Sequence, residues 1–194
     1  MKKRFGLLAS LVLCAAALTG CGAKEAKLPG AWGEGATFKA SECSITINPT
    51  LTNENALPLK DFMNRADVRY FDLRDVSEGY GAGHIEGFES VSYFKVLVGD
   101  GNQLFKSDFT PRYNESVAIL EATFPKDVNI FAMCAVGGRV TPFMNLLKTH
   151  GYDMSKCYNV GGWKQVDDTT GLAVSKTVAA SSIEYDFSAL TLKA

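Results

Sequence analysis

Val128-Asn129-Ile130-Phe131-Ala132-Met133-Cys134-Ala135-Val136-Gly137-Gly138-Arg139 is the stretch whose reading decides the fold. Val128 to Met133 is a nearly continuous apolar run of strand length, the pattern of a central strand buried on both faces. A thiol and two glycines follow, and Arg139 to His150 then reads as helix. Pro142 is tolerable in its first turn, Phe143, Leu146 and Leu147 face inward, and Gly151 sits where a C-terminal stop belongs. In open sheets of this class, chemistry collects where strand carboxyl ends meet helix amino ends. The glycines let backbone N–H groups converge there, and the helix amino end and Arg139 add positive potential, so Cys134 is favoured as thiolate over thiol. The expected role is nucleophile, with Cys134 and Arg139 as the catalytic pair and Ala135, Val136, Gly137 and Gly138 forming the substrate cradle. The plain alternative is an inert cysteine packed like a small hydrophobe. That alternative explains neither the glycines nor the arginine.

Outward from this junction, strand and helix patterns alternate. Ser44-Ile45-Thr46-Ile47 reads as a first strand, and Leu59, Phe62 and Met63 mark a short helix ending near Arg65. Val68 to Leu73 is a second strand with Asp72 near its carboxyl end, and Ser90 to Phe94 a third. Asn114 is placed to cap a helix with Val117, Leu120 and Phe124 on one face, which Pro125 stops. Cys157 to Val160 is a last short strand. Such alternation predicts an α/β fold: a central, mostly parallel, five-stranded sheet with helices on both faces. The stretch Lys95 to Asn114, with Gly99-Asp100-Gly101-Asn102 inside it, is longer than an ordinary crossover and reads as a surface excursion near the site.

The amino terminus reads as an address. Lys2, Lys3 and Arg4 precede an apolar run from Phe5 to Leu18 that is too short for a membrane span. It closes in Leu18-Thr19-Gly20-Cys21, which resembles the lipobox of bacterial lipoproteins. That resemblance implies cleavage before Cys21, lipidation of its sulfur, and a body anchored to the membrane on the extracytoplasmic face of a bacterium. The plain alternative is an ordinary secretory signal. Gly22 to Gly35 is rich in glycine and lacks any sustained period, so residues 21–42 read as lipidated cysteine and tether. The folded domain is then expected over 43–175, with a C-terminal extension over 176–194.

Composition narrows the function classes. The chain has 194 residues, of which 46% are apolar and 21% charged, so a disordered polyelectrolyte is excluded. The net charge is -1, with no basic stripe, which argues against a nucleic-acid partner; removing residues 1–20 takes away three cations and no acids, moving it to -4. The five cysteines form no paired metal-binding spacing, and no metal or organic cofactor is expected.

Taken in order, the motifs resemble one family. Cys134 to Arg139 has the C-x-x-G-x-R form of the rhodanese active-site loop. Asp72-Leu73-Arg74 is similar to that family's D-x-R signature, Tyr80 to Gly87 to its Y-x-x-G-H-I-x-G segment, Asn159 to Trp163 to its N-x-G-G-W segment, and Gly171 to Val174 to its closing G-L-P-V. Each piece is weak alone; the ordered set from about Ile45 to Val174 is specific. The resemblance implies a sulfurtransferase whose loop cysteine alternates between thiolate and persulfide, moving sulfane sulfur from thiosulfate or a persulfide donor to a thiol acceptor. Related phosphatases and arsenate reductases place one residue more between cysteine and arginine than the four found here, which disfavours phosphate-type chemistry.

One departure bears on substrate. Many family members carry a cation directly after the cysteine, whereas this loop continues Ala135-Val136. A binding or sensing module with little turnover is the reading such a loop would suit. Asp72 and Arg74 either orient the loop by a charge-assisted pair and so contribute to substrate binding, or hold the fold. His84 is expected to tie down a turn, His150 to sit in the last turn of its helix, and Trp163 to pack as core or flank the pocket. In the rhodanese sheet the strands after Cys43 and at Cys157 are neighbours, so the resemblance raises a disulfide between these two cysteines, which the sequence leaves open. The tail beyond Val174, alternating weakly through Ile183, Tyr185 and Phe187, is expected to add an edge strand or a strap.

Overall fold

A computed structural model of the chain describes residues 59–166, 168, 170–178 and 186–193. The expectations for the signal, Cys21, the tether, Cys43, the strand Ser44 to Ile47, Ile183 and Tyr185 lie outside the described residues. The strands are β1 (Val68–Asp72), β2 (His84–Ile85), β3 (Glu89–Ser90), β4 (Asn129–Cys134), β5 (Cys157–Gly162) and β6 (Val174–Ser175); the α-helices are α1 (Ser116–Thr123) and α2 (Val140–Thr149). Four strands form one parallel sheet in the order β3-β1-β4-β5, and β2 pairs antiparallel with β6. The apolar run read as a central strand is β4, flanked on both sides.

Alternation along the strands sorts two cores. Phe71, Ile130, Ala132, Cys134 and Cys157 pack with Leu120 of α1 and with Val140, Phe143, Leu146 and Leu147 of α2. Val68, Tyr70, Phe131, Met133, Tyr158 and Val160 pack with Leu59, Phe62, Ile85 and Phe88. Each fully buried Phe or Leu contributes about 1.5–3 kcal/mol relative to exposure, so both layers are needed. Both α-helices cover the first face. Among the described residues, the second is covered by a 3-10 turn, Leu59–Phe62, where a short helix was expected, and by the loop through Phe88.

Three expectations change in the detail. The strand expected over Ser90 to Phe94 pairs only through Ser90. Ser92 then accepts a hydrogen bond from the Lys95 N–H and opens a π-helical turn, Tyr93–Leu97, so a polar side chain diverts the chain before the alternation can continue. Asn114 does not cap α1: its N–H donates to the Thr191 carbonyl, and Ser116 Oγ instead links the Tyr113 N–H to the Leu104 carbonyl. The stretch from Lys95 to Asn114 is no surface excursion, since Val96, Leu97, Val98, Leu104, Phe105 and Tyr113 are buried and Phe105 N donates to the Leu97 carbonyl. The tail straps this insertion, with Tyr113 bridged to Leu192, Lys193 N donating to the Arg112 carbonyl, and Phe187 stacked 6.2 Å from Tyr113. Among the described residues no helix is long and apolar enough to cross a membrane.

Candidate active site

β4 ends at Cys134, and the chain turns at once toward α2. The turn needs Gly137, whose φ of +87° lies in the region side chains avoid. Its N–H points back at the strand end and donates to Cys134 Sγ at 3.1 Å, while its carbonyl accepts from Val140 N at 3.1 Å to begin α2. Gly138 has open space where a side chain would stand. Ala135 is half-buried, Val136 is 39% exposed, and Cys134 itself is 1% exposed, its sulfur directed at the loop N–H.

The neighbouring strand seats the loop. Cys134 pairs with Gly162 in the β4–β5 register, and a Cβ on Gly162 would lie 2.5–2.6 Å from backbone atoms of Ala135 and Val136. Lys164 N donates to the Ala135 carbonyl at 3.0 Å, and Asn159 Oδ1 accepts from the Gly161 N–H at 3.0 Å. The role of Gly162 escaped the sequence reading because a close approach between two loops is a tertiary property; its signal was the paired glycine before Trp163.

Arg139 closes the rim. Its Nη1 lies 3.1 Å from Glu78 Oε2, and its guanidinium sits 5.2 Å from the ring centroid of Phe94, which is 53% exposed. Lys95 Nζ, on the same rim, bonds Asp75 Oδ1 at 2.7 Å and Ser77 Oγ at 3.0 Å. Glu78 and Phe94 were not singled out from the sequence, because only folding carries the 3-10 turn Val76–Glu78 and the π-helical turn to α2.

Asp72 and Arg74 form a second constellation below the rim. Arg74 Nε and Nη2 reach both Asp72 oxygens at 2.7–3.0 Å, Nη1 donates to the Gly79 carbonyl, Nη2 also donates to the Gly83 carbonyl, and the guanidinium stacks 4.8 Å from Trp163. Burial pushes the Asp72 carboxyl up from its ordinary value, and the hydrogen bonds from Arg74 oppose that shift. The guanidinium thereby gathers the turn between β1 and β2 beneath Trp163, whose ring leaves no room for a side chain at Gly83. His84 ties the same turn, stacked 3.9 Å from Tyr80 with Nδ1 3.1 Å from the Tyr80 carbonyl. His150 lies at the end of α2, its Nε2 3.0 Å from the Phe109 carbonyl.

Cys157 is a free thiol at the amino end of β5, 1% exposed, with Sγ 3.6 Å from the Asp153 carbonyl oxygen. Burial, assisted by the Asp153 carboxylate, pushes it up to about 12. Among the described residues no group of His, Cys, Asp and Glu is arranged to hold a metal ion.

The chain is similar to a solved rhodanese-like domain. That structure, determined by solution NMR for a protein of Anabaena sp., is 17% identical, with 63% of this chain and 78% of that one covered at a TM-score of 0.39. No protein-family model matches the chain, and no curated protein does.

Proposed function

We propose that the protein is a sulfurtransferase working through a persulfide on Cys134. The observation that carries this reading is the sulfur at the carboxyl end of the central parallel strand, accepting the Gly137 N–H at 3.1 Å at the mouth of α2. A main-chain donor aimed at sulfur stabilises negative charge there in the thiolate and again in the persulfide. In the first half-reaction the Cys134 thiolate attacks the sulfane sulfur of the donor; the donor S–S bond breaks and its remainder, sulfite or a thiolate, leaves with the electron pair. In the second, an acceptor thiolate attacks the outer sulfur, takes it, and regenerates the Cys134 thiolate. No net oxidation occurs. Ala135, Val136, Gly137 and Gly138 line the cradle.

The test is intact mass after incubation with thiosulfate, a polysulfide or an organic persulfide. A gain of one sulfur that is absent in Cys134→Ser supports the reading; no gain with any donor overturns it. A second reading, a docking module with little turnover, draws on the exposed Phe94 and Val136 beside the loop and gives no sulfur gain. The proposal also places the domain on an acyl anchor at Cys21, outside the bacterial cytoplasmic membrane. Labelling with radioactive palmitate that is lost in Cys21→Ser would support that placement.

A further inference from the structure

We infer that Glu78 and Phe94 are specificity-determining residues that direct the Cys134 loop toward organic persulfides with an apolar substituent and away from small dianions such as thiosulfate. The inference rests on the proposed sulfur transfer at Cys134. Binding a dianion calls for a surplus of positive charge at the cradle. Two cations named on the rim are matched: Arg139 Nη1 lies 3.1 Å from Glu78 Oε2, and Lys95 Nζ lies 2.7 Å from Asp75 Oδ1. The loop side chains Ala135 and Val136 carry no charge, and Lys164 contacts the loop through its backbone N–H to the Ala135 carbonyl. Phe94 occupies one face of the Arg139 guanidinium, so this cation is held between a carboxylate and a ring.

What the rim offers instead is apolar surface. Phe94, whose ring lies 5.2 Å from the Arg139 guanidinium, and Val136 of the loop are both exposed, whereas Phe62, Phe71, Phe88, Phe105, Phe124, Phe131 and Phe143 are each at most 1% exposed. A persulfide R–S–S⁻ carries one negative charge on its terminal sulfur, which the loop N–H groups can receive, and its substituent R can lie on Phe94 and Val136. Attack by the Cys134 thiolate on the terminal sulfur forms the enzyme S–S bond, breaks the donor S–S bond and releases R–S⁻ with the pair. Atoms, charge and oxidation level all balance.

The experiment measures the initial rate of Cys134 persulfidation by mass, using benzyl persulfide and thiosulfate at equal concentration on the full chain. The wild type is expected to take sulfur faster from the benzyl persulfide. Glu78→Gln should raise the thiosulfate rate about fivefold and leave the persulfide rate in place, with Glu78→Asp restoring the original ratio. Phe94→Ala should lower the persulfide rate about fivefold and spare thiosulfate. A purely structural role for Glu78 would depress both donors together, and thermal unfolding of each variant reports that separately. A donor ratio unchanged by Glu78→Gln, or a wild type that prefers thiosulfate, overturns the inference while sulfur transfer itself stands. Failure of every donor overturns both.

Discussion

Cys134 and Cys157 lie on adjacent strands of one sheet, on the face covered by α1 and α2, and both are 1% exposed. Their surroundings are nevertheless opposite. Cys134 stands where a strand ends, and the chain beyond it returns an N–H to the sulfur; Cys157 stands where a strand begins, and the chain before it presents a carbonyl oxygen. One sulfur is an acceptor of hydrogen bonds and the other a donor. Burial alone therefore does not decide what a cysteine does. The polarity of the backbone facing it does, and that polarity follows from which end of a parallel strand the residue occupies.

The largest way to break this contrast is to unfasten the carboxyl-end rim. Arg74→Ala leaves the buried Asp72 carboxylate without its partner and is expected to cost about 3–5 kcal/mol in urea unfolding. A loss below about 1 kcal/mol would show that the pair does not hold the turn under Trp163. Next is Gly162→Ala, whose Cβ meets backbone of Val136 at 2.5 Å. The loop must move, at about 1–3 kcal/mol, and sulfur uptake at Cys134 should fall sharply while Cys157 stays shielded from iodoacetamide. Normal uptake with an unshifted urea midpoint would refute the seating role.

Cys157→Ala should cost about 1 kcal/mol and leave sulfur uptake intact. It also has a pH signature. The thiol is pushed up to about 12 from its ordinary value of 9.0, chiefly by burial. Between those values the unfolded thiol has lost its proton and the folded one has kept it, so the unfolded state binds fewer protons and stability falls as pH rises. Denaturation of the wild type should therefore steepen above pH 9, less so in Cys157→Ala; identical profiles would contradict the burial argument. Tyr93, also pushed up to about 12 by burial, keeps part of the slope in the variant. The smallest effect belongs to Lys95→Met, which removes a half-exposed ion pair and should change stability by less than about 1 kcal/mol, checked by thermal melting.

Much of this contrast was legible in the residues. The apolar run into Cys134, the two glycines and the helix with Pro142 near its start specify β4, the loop and α2 through local patterning alone. The family resemblance raises a Cys43–Cys157 disulfide and the sequence leaves it open; Cys157 is a free thiol among the described residues, and Cys43 lies outside them. The π-helical turn at Tyr93, the strapped insertion and the Arg139–Glu78–Phe94 rim were not legible. The first arises from a local serine cap that outweighs the alternating pattern, and the other two from contacts between segments distant in sequence.

The central claim is most directly tested by locating transferred sulfur at peptide level after brief exposure of the full chain to an organic persulfide. The account predicts one added sulfur on the peptide holding Cys134 and none on the peptide holding Cys157. Sulfur on Cys157, or on neither, would contradict it.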